Sequence, residues 1–211
     1  MRVCISSSVP LGVELLVRDT LNKMRTAYIG MGANLPSDAG PPEATLAAAA
    51  ARLESLGRVA ARSSLYSTEP VGFADQPRFL NAVAALETGL TPFELLGAVL
   101  LIEQDFGRNR LFSFANGPRT LDLDILLFGD FVIGGSSLVI PHPRLAERTF
   151  VLVPLNEIAP RALDPRSGNT VSQLLQSLVP GPGNEINAVV PIQSDLWRAG
   201  VDSGAADSGK S

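Results

Sequence analysis

Asp122 and Asp124 stand two residues apart in the apolar run Leu121-Asp122-Leu123-Asp124-Ile125-Leu126-Leu127-Phe128, which otherwise reads as a buried strand. Residues i and i+2 of a strand share a face, so the two carboxylates project side by side. Like charges placed this way repel unless a cation lies between them. Hard oxygen donors of this kind suit Mg²⁺, which completes its shell with phosphate oxygens and water. The alternative is a structural pair answered by arginines.

Other residues can serve such a centre. Arg108, Arg110 and Arg119 lie in the stretch that leads into the strand. They either fold over a polyphosphate, where bidentate cations neutralise developing charge, or remain solvated surface charges. His142 is the only histidine, flanked by prolines in Ile140-Pro141-His142-Pro143-Arg144. It is either a hydrogen-bonding partner for a phosphate or a ribose hydroxyl, or a surface histidine in a rigid turn. Phe79 and Phe150 would ordinarily be core, but two such rings can also hold a flat heteroaromatic between them. Asn81, two residues beyond Phe79, offers a donor and an acceptor to a ring edge. Gly30-Met31-Gly32-Ala33 lacks the third glycine of a dinucleotide fingerprint, and no Gly-Lys-Ser/Thr phosphate loop is present.

The elements that must position these residues can be read from pattern. Ala27–Met31 is a short apolar strand ending at Gly32-Ala33-Asn34. Pro41–Gly57 carries Leu46, Ala49, Ala50, Leu53 and Leu56 at helical spacing, with Gly57 as the stop. Val59–Thr68 reads as one strand, and the prolines at 70 and 77 open a loop before a third strand, Phe79–Thr88. Thr91-Pro92-Phe93-Glu94 is a capping box with proline at the first helical position, so a helix should run to about Phe106 and stop at Gly107. The order strand, helix, strand, strand, helix, strand is the α+β, ferredoxin-like βαββαβ arrangement, an antiparallel sheet with helices packed on one face. Residues 130–178 add a short C-terminal α/β extension of small strands and one or two short helices.

At 211 residues the chain has room for one domain and tails. Residues 24–180 form the domain; 1–23 read as a disordered N-terminal extension, with Met24 an alternative start, and 181–211 as a disordered C-terminal tail rich in Gly, Pro, Ser and Asp. A net charge of −4 and a pI near 5.0 argue against general nucleic-acid affinity. The only lysines are Lys23 and Lys210, so an anionic substrate is held by arginines. The lone Cys4 excludes an intramolecular disulfide and a cysteine-based zinc site. No apolar run reaches the ~20 residues of a membrane span. A cytoplasmic monomer acting on small molecules is the expectation.

Gly117-Pro118-Arg119-Thr120-Leu121-Asp122-Leu123-Asp124-Ile125-Leu126 resembles the signature of the 6-hydroxymethyl-7,8-dihydropterin pyrophosphokinase family. Four further blocks resemble it in family order: Ala27–Leu35, Tyr66–Asn81, Ile102–Arg108 and Ile140–Pro160. The resemblance covers residues from about 26 to 178. It implies transfer of diphosphate from ATP to the pterin hydroxymethyl group, leaving AMP, in folate biosynthesis. It also implies that Asp122 and Asp124 hold two Mg²⁺ ions, with Asp122 either a base or only a metal ligand. Arg110 and Arg119 would stabilise the transferred group, His142 and Arg148 would contact ATP phosphates, and Ile125 would lie by the adenosine. Phe79 and Phe150 would sandwich the pterin, with Thr68, Val71 and Asn81 at its edge. The chain departs from better-known members at Asn116, Pro143 and Glu69, and at Leu111–Ala115, where basic residues are common. A catalytically silent pterin binder and an unrelated metal-dependent nucleotidyl transferase are the competing readings.

Overall fold

The computed structural model describes residues 23–108, 116–178 and 188–199. Strand β1 (Arg25–Ala33) runs through the middle of an antiparallel sheet, paired on one side with β4 (Phe79–Thr88) and on the other with β5 (Asp122–Phe128). Strands β2 (Arg58–Arg62) and β3 (Leu65–Thr68) both pair with the outer side of β4. The single strand expected over Val59–Thr68 is thus two. The break falls at Ser63, whose backbone N–H donates to the Val83 carbonyl (2.9 Å) while its hydroxyl accepts the Val83 N–H (2.9 Å). A side chain that takes over a main-chain acceptor role interrupts the regular ladder there.

Alternation along β1 separates two faces. Ala27, Ile29, Met31 and Ala33 are buried on the side covered by helices α1 (Pro42–Leu53) and α2 (Pro92–Asp105). Leu46, Leu53, Leu95, Val99 and Ile102 from those helices complete this core. The capping box of α2 is formed: Thr91 Oγ1 accepts from Glu94 N (3.3 Å) and the Glu94 carboxylate accepts from Thr91 N (2.8 Å). After α1 a 3₁₀ turn, Glu54–Leu56, ends at Gly57. A Cβ at Gly57 would lie 2.2 Å from the Glu87 carbonyl oxygen, so only glycine allows this close approach.

Helices α3 (Thr149–Ile158) and α4 (Val171–Ser177) cover the opposite face through Val83, Leu126, Leu127, Val151, Leu152, Leu155, Val171 and Leu174. Helices therefore lie on both faces of the sheet, where one face was expected, because the 149–177 segment folds back over it. Strands β6 (Ile133–Gly134) and β7 (Val139–Ile140) form a small separate hairpin.

The expectation of a tail from residue 181 does not hold over 188–199. Strand β8 (Val190–Ile192) pairs antiparallel with β3, and helix α5 (Asp195–Ala199) follows. Trp197 is buried and donates its indole N–H to the Ser63 carbonyl at 2.7 Å, with the Arg62 guanidinium 4.6 Å from the ring centroid. An apolar ring with one satisfied polar edge anchors a segment whose composition reads as loop. Among the described residues no helix is long and apolar enough to cross a membrane.

Candidate active site

Register across the three central strands builds the site floor. Gly32 lies opposite Asn81 on β4 and Asp122 on β5; Gly30 lies opposite Val83 and Asp124. Asn81 and Asp122 thus flank a glycine, two strand spacings or about 10 Å apart. A Cβ at Gly32 would stand 3.1 Å from Asn81 Oδ1. The glycines keep this row open.

Asp122 and Asp124 emerge on the same face. Arg119 Nε is 3.2 Å from Asp122 Oδ2 and an Arg108 guanidinium nitrogen is 3.5 Å from Asp122 Oδ1. Burial first, and then the Asp122 charge beside it, raise Asp124 from the ordinary carboxyl value to about 6. Its side chain is nonetheless 41% exposed at the cleft mouth, so solvent screens part of that repulsion.

A β-bulge brings His142 to the pair. Ile29 pairs with Ile125 and Tyr28 with Leu127, which leaves Leu126 without a partner on β1. Its carbonyl accepts the His142 N–H at 2.9 Å, and His142 Nε2 lies 3.9 Å from Asp124 Oδ2. His142 Nδ1 accepts the Arg144 N–H (3.2 Å), so in the neutral ring the proton sits on Nε2, facing the carboxylate. Burial, then the charges of Arg148 and Arg144, lower its pKa to about 4, and the ring is neutral at neutral pH.

Beside the carboxylates opens a cleft of about 270 Å³ lined by Thr68, Val71, Phe79, Asn81, Arg119, Arg148 and Phe150, among others. Phe79 comes from β4 and Phe150 from the first turn of α3. The Arg119 guanidinium lies 4.8 Å from the Phe79 centroid and that of Arg148 5.3 Å from Phe150, so each ring carries a cation on one face. Asn81 donates to Thr68 Oγ1 at 2.8 Å, which fixes the amide and leaves its oxygen for a ligand.

Two amides tie the cleft loops together. Asn34 Oδ1 accepts the Arg119 N–H (2.7 Å), and its Nδ2 donates to Gln76 Oε1 and the Pro77 carbonyl (both 3.0 Å). Gln76 Nε2 donates to the Phe73 and Asn116 carbonyls (2.6 and 2.8 Å). Asn116 sits at φ 60°, a conformation that asparagine tolerates better than most residues.

Of the residues singled out in the sequence, Thr68, Val71, Phe79, Asn81, Arg119, Asp122, Asp124, His142, Arg148 and Phe150 converge on this region. Ile125 does not line it. Its side chain is 5% exposed and packs in the core on the other face of β5, so any adenosine contact falls to its main chain. Arg110 lies outside the described residues. Asn34, Gln76, Glu103 and Arg144 were assigned no role from sequence. Glu103 carried a visible signal, being an ionisable residue on the buried stripe of α2 formed by Leu95, Val99 and Ile102.

Among the described residues no group of three or more His, Cys, Asp or Glu gathers as a metal cluster. Two carboxylates on one face suit a hard cation that draws its remaining ligands from phosphate and water. Cationic side chains, a pair of carboxylates and an aromatic cleft form the kind of site found in phosphoryl-group transferases.

Residues 28–160 match the model of the family described as 7,8-dihydro-6-hydroxymethylpterin-pyrophosphokinase (HPPK). The 2-amino-4-hydroxy-6-hydroxymethyldihydropteridine pyrophosphokinase of Synechocystis sp. is 40% identical over 176 residues, covering 82% of this chain and 84% of its own. The enzymes of the same name from Pseudomonas aeruginosa and Bacillus subtilis are 45% identical (65% of this chain, 82% of theirs) and 46% identical (63% and 77%). Wild-type Plasmodium falciparum HPPK-DHPS with pteroate shares the fold, with a TM-score of 0.57 at 18% identity over 74% of this chain and 42% of that one. The chain belongs to the 7,8-dihydro-6-hydroxymethylpterin-pyrophosphokinase family.

Proposed function

We propose that this cleft transfers diphosphate from ATP to the hydroxymethyl group of 6-hydroxymethyl-7,8-dihydropterin, releasing AMP, as the pyrophosphokinase step of folate biosynthesis. The observation that carries the reading is a pair of adjoining pockets, one aromatic and one holding the two carboxylates, with Asn81, Arg119, Arg148 and Phe150 lining both. The pterin lies between Phe79 and Phe150, with Thr68, Val71 and Asn81 at its edge. The hydroxyl oxygen attacks the β-phosphorus, the bond from that phosphorus to the bridging α,β-oxygen breaks, and AMP leaves with the electron pair. The hydroxyl proton passes to Asp122 or to solvent.

Asp122 and Asp124 are the protein ligands for two Mg²⁺ ions, which when bound neutralise phosphate charge and acidify the attacking hydroxyl. Arg119 faces the transferred group and Arg148 an ATP phosphate; a like role for Arg110 rests on the family resemblance alone. Neutral His142 donates its Nε2–H to a phosphate oxygen rather than moving a proton. Transfer of this kind needs positioning and charge stabilisation more than covalent help.

The strand order β5-β1-β4 with β2 and β3 beyond supports a ferredoxin-like core, and the 130–178 segment its extension. We further assign the protein as a cytoplasmic monomer with no nucleic-acid partner, its functional domain starting at residue 24 and taking in the 188–199 segment that pairs with β3. Incubation with Mg-ATP and the dihydropterin should yield AMP and the pterin diphosphate in equal amounts. Production of ADP, or no turnover by folded protein, would overturn the assignment.

A further inference from the structure

Glu103 is a carboxylate that the proposed chemistry leaves unused and that burial makes costly. It is 1% exposed, near the C-terminal end of α2, where Leu95, Val99 and Ile102 form an apolar stripe. Leucine or isoleucine there would extend the core; a buried carboxylate is tolerated only where hydrogen bonds replace its lost hydration. Glu103 Oε1 accepts the backbone N–H of Leu123 at 2.8 Å. Leu123 is the residue between Asp122 and Asp124.

The topology explains why that N–H needs a partner. β5 is the edge strand of the sheet, and the Leu123 N–H turns to Glu103 rather than to β1. Without an acceptor, that amide is a free edge group around which the strand can twist or shift. The same end of α2 holds neighbouring atoms. Arg108 N donates to the Glu103 carbonyl (3.0 Å), its guanidinium donates to the Leu121 carbonyl (3.4 Å), and a second nitrogen faces Asp122 Oδ1 (3.5 Å). Leu121, Asp122 and Leu123 are thus gripped in succession from one helix end.

We propose that Glu103 is a positioning residue for the metal-binding pair: by holding the Leu123 amide it fixes the backbone from which Asp122 and Asp124 project, so that both carboxylates converge on one cation site. This rests on the reading of the pair as metal ligands. Groups that hydrogen-bond metal ligands directly typically carry ten- to a hundredfold of metal affinity; Glu103 acts on the main chain between the two ligands, so an effect near the lower end of that range is expected.

Two substitutions in the full-length protein separate reach from charge. Glu103→Gln keeps an oxygen at the same reach without the charge, whereas Glu103→Asp keeps the charge but is one methylene too short. Mn²⁺ affinity is measured by electron paramagnetic resonance with the α,β-methylene analogue of ATP, which cannot transfer diphosphate. Leu123 amide exchange is followed by NMR, and pterin binding by fluorescence. Glu103→Asp should weaken Mn²⁺ about tenfold or more and speed Leu123 exchange, with pterin affinity unchanged within twofold. Glu103→Gln should stay within about threefold of wild type for Mn²⁺. A Glu103→Asp protein that binds Mn²⁺ like wild type, or loses Mn²⁺ and pterin equally, overturns the proposal. Asp124→Asn is the control: if it too keeps full Mn²⁺ affinity, the metal reading itself fails, not only the role of Glu103.

Discussion

In the absence of cations the dicarboxylate should cost the fold stability, and Asp124→Asn measures how much. Asp124 rises from an unfolded value of 3.8 to about 6 in the folded chain, driven by burial and then by Asp122. A carboxyl with a raised folded pKa favours folding when protonated. Its contribution is therefore present below about pH 4 and is lost as pH rises through about 6. About two pH units correspond to about 3 kcal/mol as an upper bound. The side chain is 41% exposed, and solvent screening brings the expected penalty nearer 1–1.5 kcal/mol. Asparagine approximates the protonated form, so at pH 8 in EDTA the variant should unfold at higher urea, by about 1 kcal/mol. At pH 4.5 the gain should shrink to about a third. His142, whose folded pKa is lowered to about 4, acts in the opposite sense, losing stability as pH falls below 6.5. It is common to both proteins and largely cancels in the difference. Urea titrations of both proteins at the two pH values, read by circular dichroism, decide the matter. A variant less stable than wild type at pH 8, or a difference independent of pH, would refute the reasoning.

Three further outcomes are expected. Phe150→Ala should weaken pterin binding about three- to tenfold, the worth of one lost aromatic stack, with ATP affinity little changed in fluorescence titrations. Asn34→Ala removes the acceptor of the Arg119 N–H and both links to the 76–77 loop, so kcat at saturating substrates should fall at least tenfold; thermal melts check that the fold persists. Gly57→Ala places a Cβ 2.2 Å from the Glu87 carbonyl oxygen and should destabilise the protein by about 2 kcal/mol or more in chemical denaturation, without a specific effect on KM.

What could be read from the chain was whatever is encoded locally. The Thr91–Glu94 capping box needs only four residues, and it forms as spelled. The common face of Asp122 and Asp124 follows from strand period alone. Features made by distant partners were hidden. Asn34 meets Gln76 across 42 positions, and nothing in either neighbourhood announces the pairing. The break at Ser63 depends on Val83 and Trp197, and the bulge at Leu126 on a register offset with β1. Residues 188–199 look like tail by composition because β8 is short and includes a proline; their place in the fold comes from Trp197, a tertiary contact.

That short strand also bears on how the protein stays dispersed. β3 would otherwise expose the free N–H and C=O groups of Leu65–Thr68, a template for strands of other molecules. β8 covers it with three residues, and Pro191, facing Tyr66, has no N–H to offer a further strand. The last strand of the sheet thus ends the ladder as well as extending it, and a chain cut after residue 178 should be more prone to self-association than the intact one.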